Sequence, residues 1–126
     1  MENQNLKTLA KIAKFLKPIN IDGKLCKRYG SPNDGGYVLY DDLKKSDFLI
    51  SFGAGSNIDF EIQIVSIGIS AHIYDDSIEN LPLFLKNVCF FNETIGASPK
   101  TSIGKSISRI PEANRVILKM DIEGSE

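Results

Sequence analysis

Three short segments of this 126-residue sequence carry residues whose types and spacing suit chemistry. The first is Ser51-Phe52-Gly53-Ala54-Gly55-Ser56-Asn57, directly after the apolar run Phe48 to Phe52. Glycines two positions apart let a backbone turn sharply and approach a ligand closely. A helix that follows offers unpaired N–H groups to a polar ligand. A lone G-x-G is also an ordinary strand-to-helix turn. The second segment is Asp75-Asp76, where Asp75 lies 22 residues beyond Gly53. An acid about 20 residues past a glycine turn is placed to accept hydrogen bonds from ribose hydroxyls. Asp76 is one position further on and is expected to point elsewhere; both acids would also suit a solvated loop. The third segment runs from Leu118 to Glu126 and sets Asp121, Glu123 and Glu126 after another apolar run. Asp121 is expected to open into the crevice shared with Gly53 and Gly55, where it can orient an acceptor hydroxyl or take its proton, worth roughly 10²–10⁴ in rate. Glu123 and Glu126 also suit the first turn of a helix, whose positive end favours acids.

The glycine turn and its distant acid fit nucleosides generally: NAD, FAD or S-adenosylmethionine. A full dinucleotide pattern G-x-G-x-x-G needs a third glycine at position 58, and Ile58 stands there. A helix starting with isoleucine comes less close to a pyrophosphate. S-adenosylmethionine carries no phosphate, so the missing glycine favours it over a dinucleotide.

The elements that must position these segments follow from periodicity. Leu6, Leu9, Ala13 and Leu16 recur at helical spacing, with lysines elsewhere, and Pro18 stops that helix. A helix packed on the domain is expected there, in preference to one lying on a membrane surface. Residues 24–29 and 37–40 flank the turn-rich Ser31-Pro32-Asn33-Asp34-Gly35-Gly36 and predict a hairpin. From Asp47 the pattern alternates. Strands are predicted at 48–52, 71–74, 88–91 and 116–120. Residues 57–67 fit both a strand and a helix; the helix is preferred because Gly68 is placed as its C-terminal cap. Residues 78–85 predict a short helix weakened by Pro82, and Ile103, Ile107 and Ile110 a short helix or turn. Strand-helix alternation implies an α/β fold with a doubly wound, Rossmann-like parallel sheet. The expected division is a leader at 1–46 and a cofactor-binding half at 47–126.

Composition excludes several classes. A net charge of −1 with scattered basic residues gives no footprint for nucleic acid. No apolar run approaches the roughly 20 residues of a membrane helix. The polar start of the chain lacks the apolar core of a signal peptide, so a cytoplasmic protein is expected. Cys26 and Cys89 stand 63 positions apart without metal-ligand spacing and are expected to be buried structural thiols. The single histidine, His72, falls mid-strand, where a structural role is expected. Acids near 121 can attract Mg²⁺, but no ligand set is visible and no metal is assigned.

With these segments in view, the sequence resembles the FkbM-type methyltransferases. The resemblance rests on Asp34-Gly35-Gly36-Tyr37-Val38, Ser51 to Glu61, Ile73 to Ser77, and Leu118 to Glu126 (LKMDIEGSE). Their order and spacing match over most of residues 27–126, and the last stretch is the most specific. The resemblance implies a class I methyltransferase fold, S-adenosylmethionine as methyl donor, and a hydroxyl acceptor on a sugar, glycan or natural product. It implies Gly53, Ala54, Gly55 and Ser56 as the cofactor loop and Asp75, with Asp76 beside it, as the ribose-binding acid. It implies Asp121 and Glu123 as the acidic motif after the fourth strand, and Asp34, Gly35 and Gly36 as a leader that closes over the cofactor. The family's sheet has seven strands, and this sequence stops just after the fourth. A fragment is therefore expected, with its fourth strand an open sheet edge able to self-associate. Two other readings stay in view: a nucleotide-dependent oxidoreductase of Rossmann type, and a truncated chain without catalysis.

Overall fold

A computed structural model describes residues 2–15, 20–96 and 101–122. It is an α/β structure. In chain order, helix α1 spans Glu2–Phe15, strands β1 and β2 span Cys26–Gly30 and Gly36–Tyr40, and β3 spans Asp47–Phe52. Helix α2 spans Asp59–Ser66, β4 Ser70–Tyr74, β5 Val88–Phe91, α3 Ile103–Ser108 and β6 Arg115–Met120. Strands β1 and β2 form a separate antiparallel hairpin, and the other four form a parallel sheet in the order β5-β4-β3-β6. The chain builds outward from β3 to β4 and β5, then returns to lay β6 against the other side of β3.

Every residue of β3 is buried, as its apolar run predicts for a central strand covered on both faces. Leu49 shares one face with Ala71 and Ile73, against Ile58, Phe60 and Ile64 around α2. Phe48, Ile50 and Phe52 share the other face with Tyr74, under Ile95, Ile110 and Ala113. Connections thus cover both faces, an arrangement compatible with part of a Rossmann-like fold. The segment that reads as strand or helix is a helix. Gly68, at φ +97°, ends it, and its N–H bonds the Val65 carbonyl. The hairpin packs on α2: the Tyr37 and Phe60 rings meet edge to face at 5.0 Å, and the Gly30 N–H donates to Gln63 Oε1 at 3.0 Å.

Three expectations need correction. Residues 78–85 form no helix. Pro82 lacks the N–H a helix needs; the segment crosses the sheet as irregular chain, with Leu81 and Leu85 on the core and the Ile78 carbonyl held by Asn92 Nδ2 at 2.6 Å. Cys26 and Cys89 are exposed free thiols. Cys26 opens β1, where Tyr29 alone is buried, and Cys89 lies on the outermost strand β5. Helix α1 does not bury its apolar stripe: Leu6, Leu9 and Ala13 are exposed, none of them joins either core cluster, and Leu16 and Pro18 lie outside the described residues. Both faces of the sheet are served by other segments, so the stripe finds no seat there. The expected edge at β6 is present, and β5 is a second one: both are outermost among the described strands.

His72 is buried between the Phe48 and Phe91 rings, at 4.9 and 5.1 Å, with no partner for Nδ1. Burial and the nearby Arg109 charge hold its pKa below the usual imidazole value. Asp47 starts β3 with its carboxylate buried. It accepts from Arg115 Nη2 at 2.7 Å and from the Lys44 N–H at 2.8 Å, while Arg115 also holds Asp42 at 3.0 Å. This pins the start of β6 beside the start of β3. Hydrogen bonding from Arg115 lowers the Asp47 pKa against the opposing effect of burial. Glu93 is lowered likewise, first by Arg109 and then by Thr101.

These groups fix the acid side of the stability curve. A depressed histidine costs stability once pH falls below its unfolded value of about 6.5. Depressed carboxylates contribute stability above about pH 4 and lose it as pH falls through their folded values. Urea titrations across pH should show a shallow fall beginning near 6.5 and a steeper one below about 4. His72→Phe should remove the first step, and Asp47→Asn should flatten the second.

Candidate functional site

The carboxyl ends of all four parallel strands converge on one cleft of about 530 Å³, a size ordinary for a small-molecule site. Gly53 to Asn57 enter it after β3, Asp75 to Ser77 after β4, Glu93 to Ile95 after β5, and Asp121 and Ile122 after β6. Asp34 reaches it from the hairpin turn. The cleft lies where strand order reverses between β3 and β6, the position at which such sheets hold ligands.

The glycine turn has two distinct requirements. Gly53 adopts φ +75°, and a β-carbon there would meet the Asp121 carbonyl oxygen at 1.9 Å. Gly55 adopts φ +58°, and its β-carbon would face open space. So Gly53 lets two backbones pass, and Gly55 turns the chain while leaving room for a ligand. The Gly55 N–H donates to Asp75 Oδ2 at 2.6 Å. Asp75 Oδ1 accepts from the Ser77 N–H at 2.7 Å and the Ser77 hydroxyl at 2.5 Å. Burial works to raise the Asp75 pKa, but the bonds from Ser77 and Gly55 outweigh it and hold the group below its usual value, with Lys119 adding attraction. Asp75 is thus an ionised carboxylate. Asp76 also lines the cleft, is exposed, and accepts from the Thr94 hydroxyl.

Asp121 Oδ2 accepts from the Tyr37 hydroxyl at 2.9 Å. Burial, then the bond to Asp121, pushes the Tyr37 pKa up to about 12, so the phenol stays a donor at neutral pH. Glu93 is engaged by both Arg109 nitrogens, at 2.9 and 3.0 Å. Five carboxylates therefore line the cleft: Asp34, Asp75, Asp76, Glu93 and Asp121. No Lys or Arg lines it among the described residues.

The structure brings together Gly53, Ala54, Gly55, Ser56, Asp75, Asp76 and Asp121. Gly36 stands apart from the lining. A β-carbon there would meet the Ser31 carbonyl at 2.0 Å and the Arg28 guanidinium at 2.7 Å, so this glycine serves hairpin packing, and Asp34 is the residue its turn sends to the cleft. Glu123 lies outside the described residues. Reasoning from sequence missed Tyr37, Glu61, Glu93 and Lys119. Lys119 had a visible signal: a lysine inside the apolar run Val116 to Met120. Glu61 had a weaker one, sitting between core residues Phe60 and Ile64. Among the described residues no cluster of three or more potential ligands is arranged to hold a metal. No family model, curated protein or solved structure matches this chain.

The two glycines should respond differently to a methyl group. Gly55→Ala should cost about 1–2 kcal/mol, the price of a left-handed residue in open space. Gly53→Ala should cost more than about 3 kcal/mol, because backbone must also move. Urea denaturation of both variants checks the order.

Proposed function

We propose that this chain is the donor-binding half of an S-adenosylmethionine-dependent methyltransferase, of class I and FkbM type. The acceptor is a hydroxyl on a small molecule, sugar, glycan or natural product. The observation that carries the reading is the charge of the cleft: five carboxylates line it, and Arg109 on Glu93 with Lys119 on the Gly53 carbonyl offsets only part of that charge. S-adenosylmethionine bears a sulfonium and an ammonium against one carboxylate, so it is a net cation. A dinucleotide brings an anionic pyrophosphate, which this lining repels. Ile58, buried where a dinucleotide motif has its third glycine, supports the same choice.

When bound, the donor supplies an electrophilic methyl group on its sulfonium. The chain's own residues do the rest. Asp75 presents an ionised carboxylate to the ribose hydroxyls, and the Gly53–Gly55 turn leaves the space beside it. Asp121, fixed by the Tyr37 hydroxyl, aligns the acceptor O–H and takes its proton as the oxygen gains the methyl. Positioning supplies most of the acceleration, up to about 7–11 kcal/mol when geometry is good. A reducing, cytoplasmic setting belongs to the same proposal, since both cysteines are exposed free thiols.

One observation favours a second reading, self-association. Val116 and Leu118 are 45% and 54% exposed on the outermost strand β6, and such an edge is a template for pairing. Gel filtration should show dimers or larger species that Leu118→Lys returns to monomer; a wild-type monomer rejects the idea.

Calorimetry tests the donor. S-adenosylhomocysteine should bind at least about tenfold more tightly than NADH, a difference of about 1.4 kcal/mol. Asp75→Asn should weaken it by about tenfold or more, the loss expected for a hydrogen bond to a charged group. Equal binding of NADH, or no binding of the homocysteine product, overturns the methyltransferase reading.

A further inference from the structure

Beneath the Gly53–Gly55 turn lies an ion pair that donor binding alone does not require. Lys119 is 7% exposed and Glu61 1%. Lys119 Nζ stands 3.7 Å from Glu61 Oε1 and donates to the Gly53 carbonyl. Glu61 Oε1 also accepts from the buried Ser51 hydroxyl at 2.5 Å. The ammonium lies 5.6 Å from the centre of the Tyr37 ring. One cation from β6 thus joins β3, α2 and the hairpin at the floor of the turn.

Stability does not explain such a pair. Removing two charges from water costs several kcal/mol each, and an apolar pair of similar volume is commonly as stable. The turn above it has a specific need. Glycine adopts positive and negative φ almost equally, so a turn built on Gly53 and Gly55 has cheap alternatives. An outside donor on the Gly53 carbonyl selects one of them. With that carbonyl turned inward, the Gly55 N–H points to Asp75.

We propose that Lys119 is a positioning residue: its ammonium, with its charge balanced by Glu61, grips the Gly53 carbonyl and holds the turn in its ligand-ready form. The consequence for affinity rests on the donor-binding reading above; the geometry does not. A turn competent only part of the time weakens apparent affinity by the same fraction.

Amide hydrogen exchange in the ligand-free protein tests this, read by NMR at the Gly55 N–H, with calorimetry on S-adenosylhomocysteine in parallel. Lys119→Met/Glu61→Gln removes both charges and should keep a melting temperature near that of the wild type. Its Gly55 protection should fall about tenfold, and its ligand affinity by a similar factor. Glu61→Gln alone keeps the lysine on Gly53, so protection should stay within about twofold. Should the double variant fail to fold, Lys119→Gln should show the same tenfold loss, its amide falling short of Gly53. Wild-type protection at Gly55 in the lysine variants, or equal losses with and without Lys119, overturns the proposal. Loss of protection in a protein that never binds the ligand upholds the positioning role and sinks the methyl-donor reading instead.

Discussion

The backbones after β3 and β6 run so close together that no side chain fits between Gly53 and the Asp121 carbonyl. The rest of the site depends on this approach. Because the strands are in register from Asp47 and Arg115 to Phe52 and Met120, they reach the cleft side by side. The Asp121 N–H still bonds the Phe52 carbonyl, and the Gly53 N–H bonds the Tyr74 carbonyl. The chain after β3 is therefore tied to both neighbours before it turns. That shared origin sets Gly55 opposite Asp75 and brings Asp121 within reach of Tyr37.

Charge is sorted around this point by depth. At the cleft wall the acids are held by N–H and O–H donors, as Asp75 is by Gly55 and Ser77. One layer down, a single lysine answers a single glutamate. At the opposite end of β3, Arg115 answers Asp47 and Asp42. Each acid buried along β3 and α2 thus has a cation from β6. The last strand contributes more than its ladder of backbone bonds: it carries the counter-charges that make burial of those acids tolerable.

What was legible in the sequence was local. Gly53, Gly55 and Asp75 could be assigned because a turn after an apolar run and an acid after the next strand are features of short segments. The parallel pairing of the four sheet strands followed from their alternation with crossovers. Helix α2 was ambiguous by periodicity, and Gly68 decided it correctly. Tertiary features were not legible. Nothing within Val116 to Met120 says that a lysine there will meet a carbonyl from β3. Cys89 read as buried because cysteine is usually found inside, yet its strand is outermost. The stripe of α1 read as a buried face, but a stripe fixes a helix without providing a surface to cover it. At residues 78–85 Pro82, which has no N–H to give, outweighs the apolar spacing that suits a helix.

The position of β3 has a consequence for biogenesis. It is the first strand of the sheet to leave the ribosome, and it sits between β4 and β6. One flank is served as soon as β4 follows, but the other must wait for β6, the last strand of the described chain. During synthesis the nascent protein therefore carries a half-made sheet with an unpaired apolar flank, a state that invites capture by chaperones or by neighbouring copies. The cleft cannot take shape until that wait ends, because the segment after β6 supplies one of its walls.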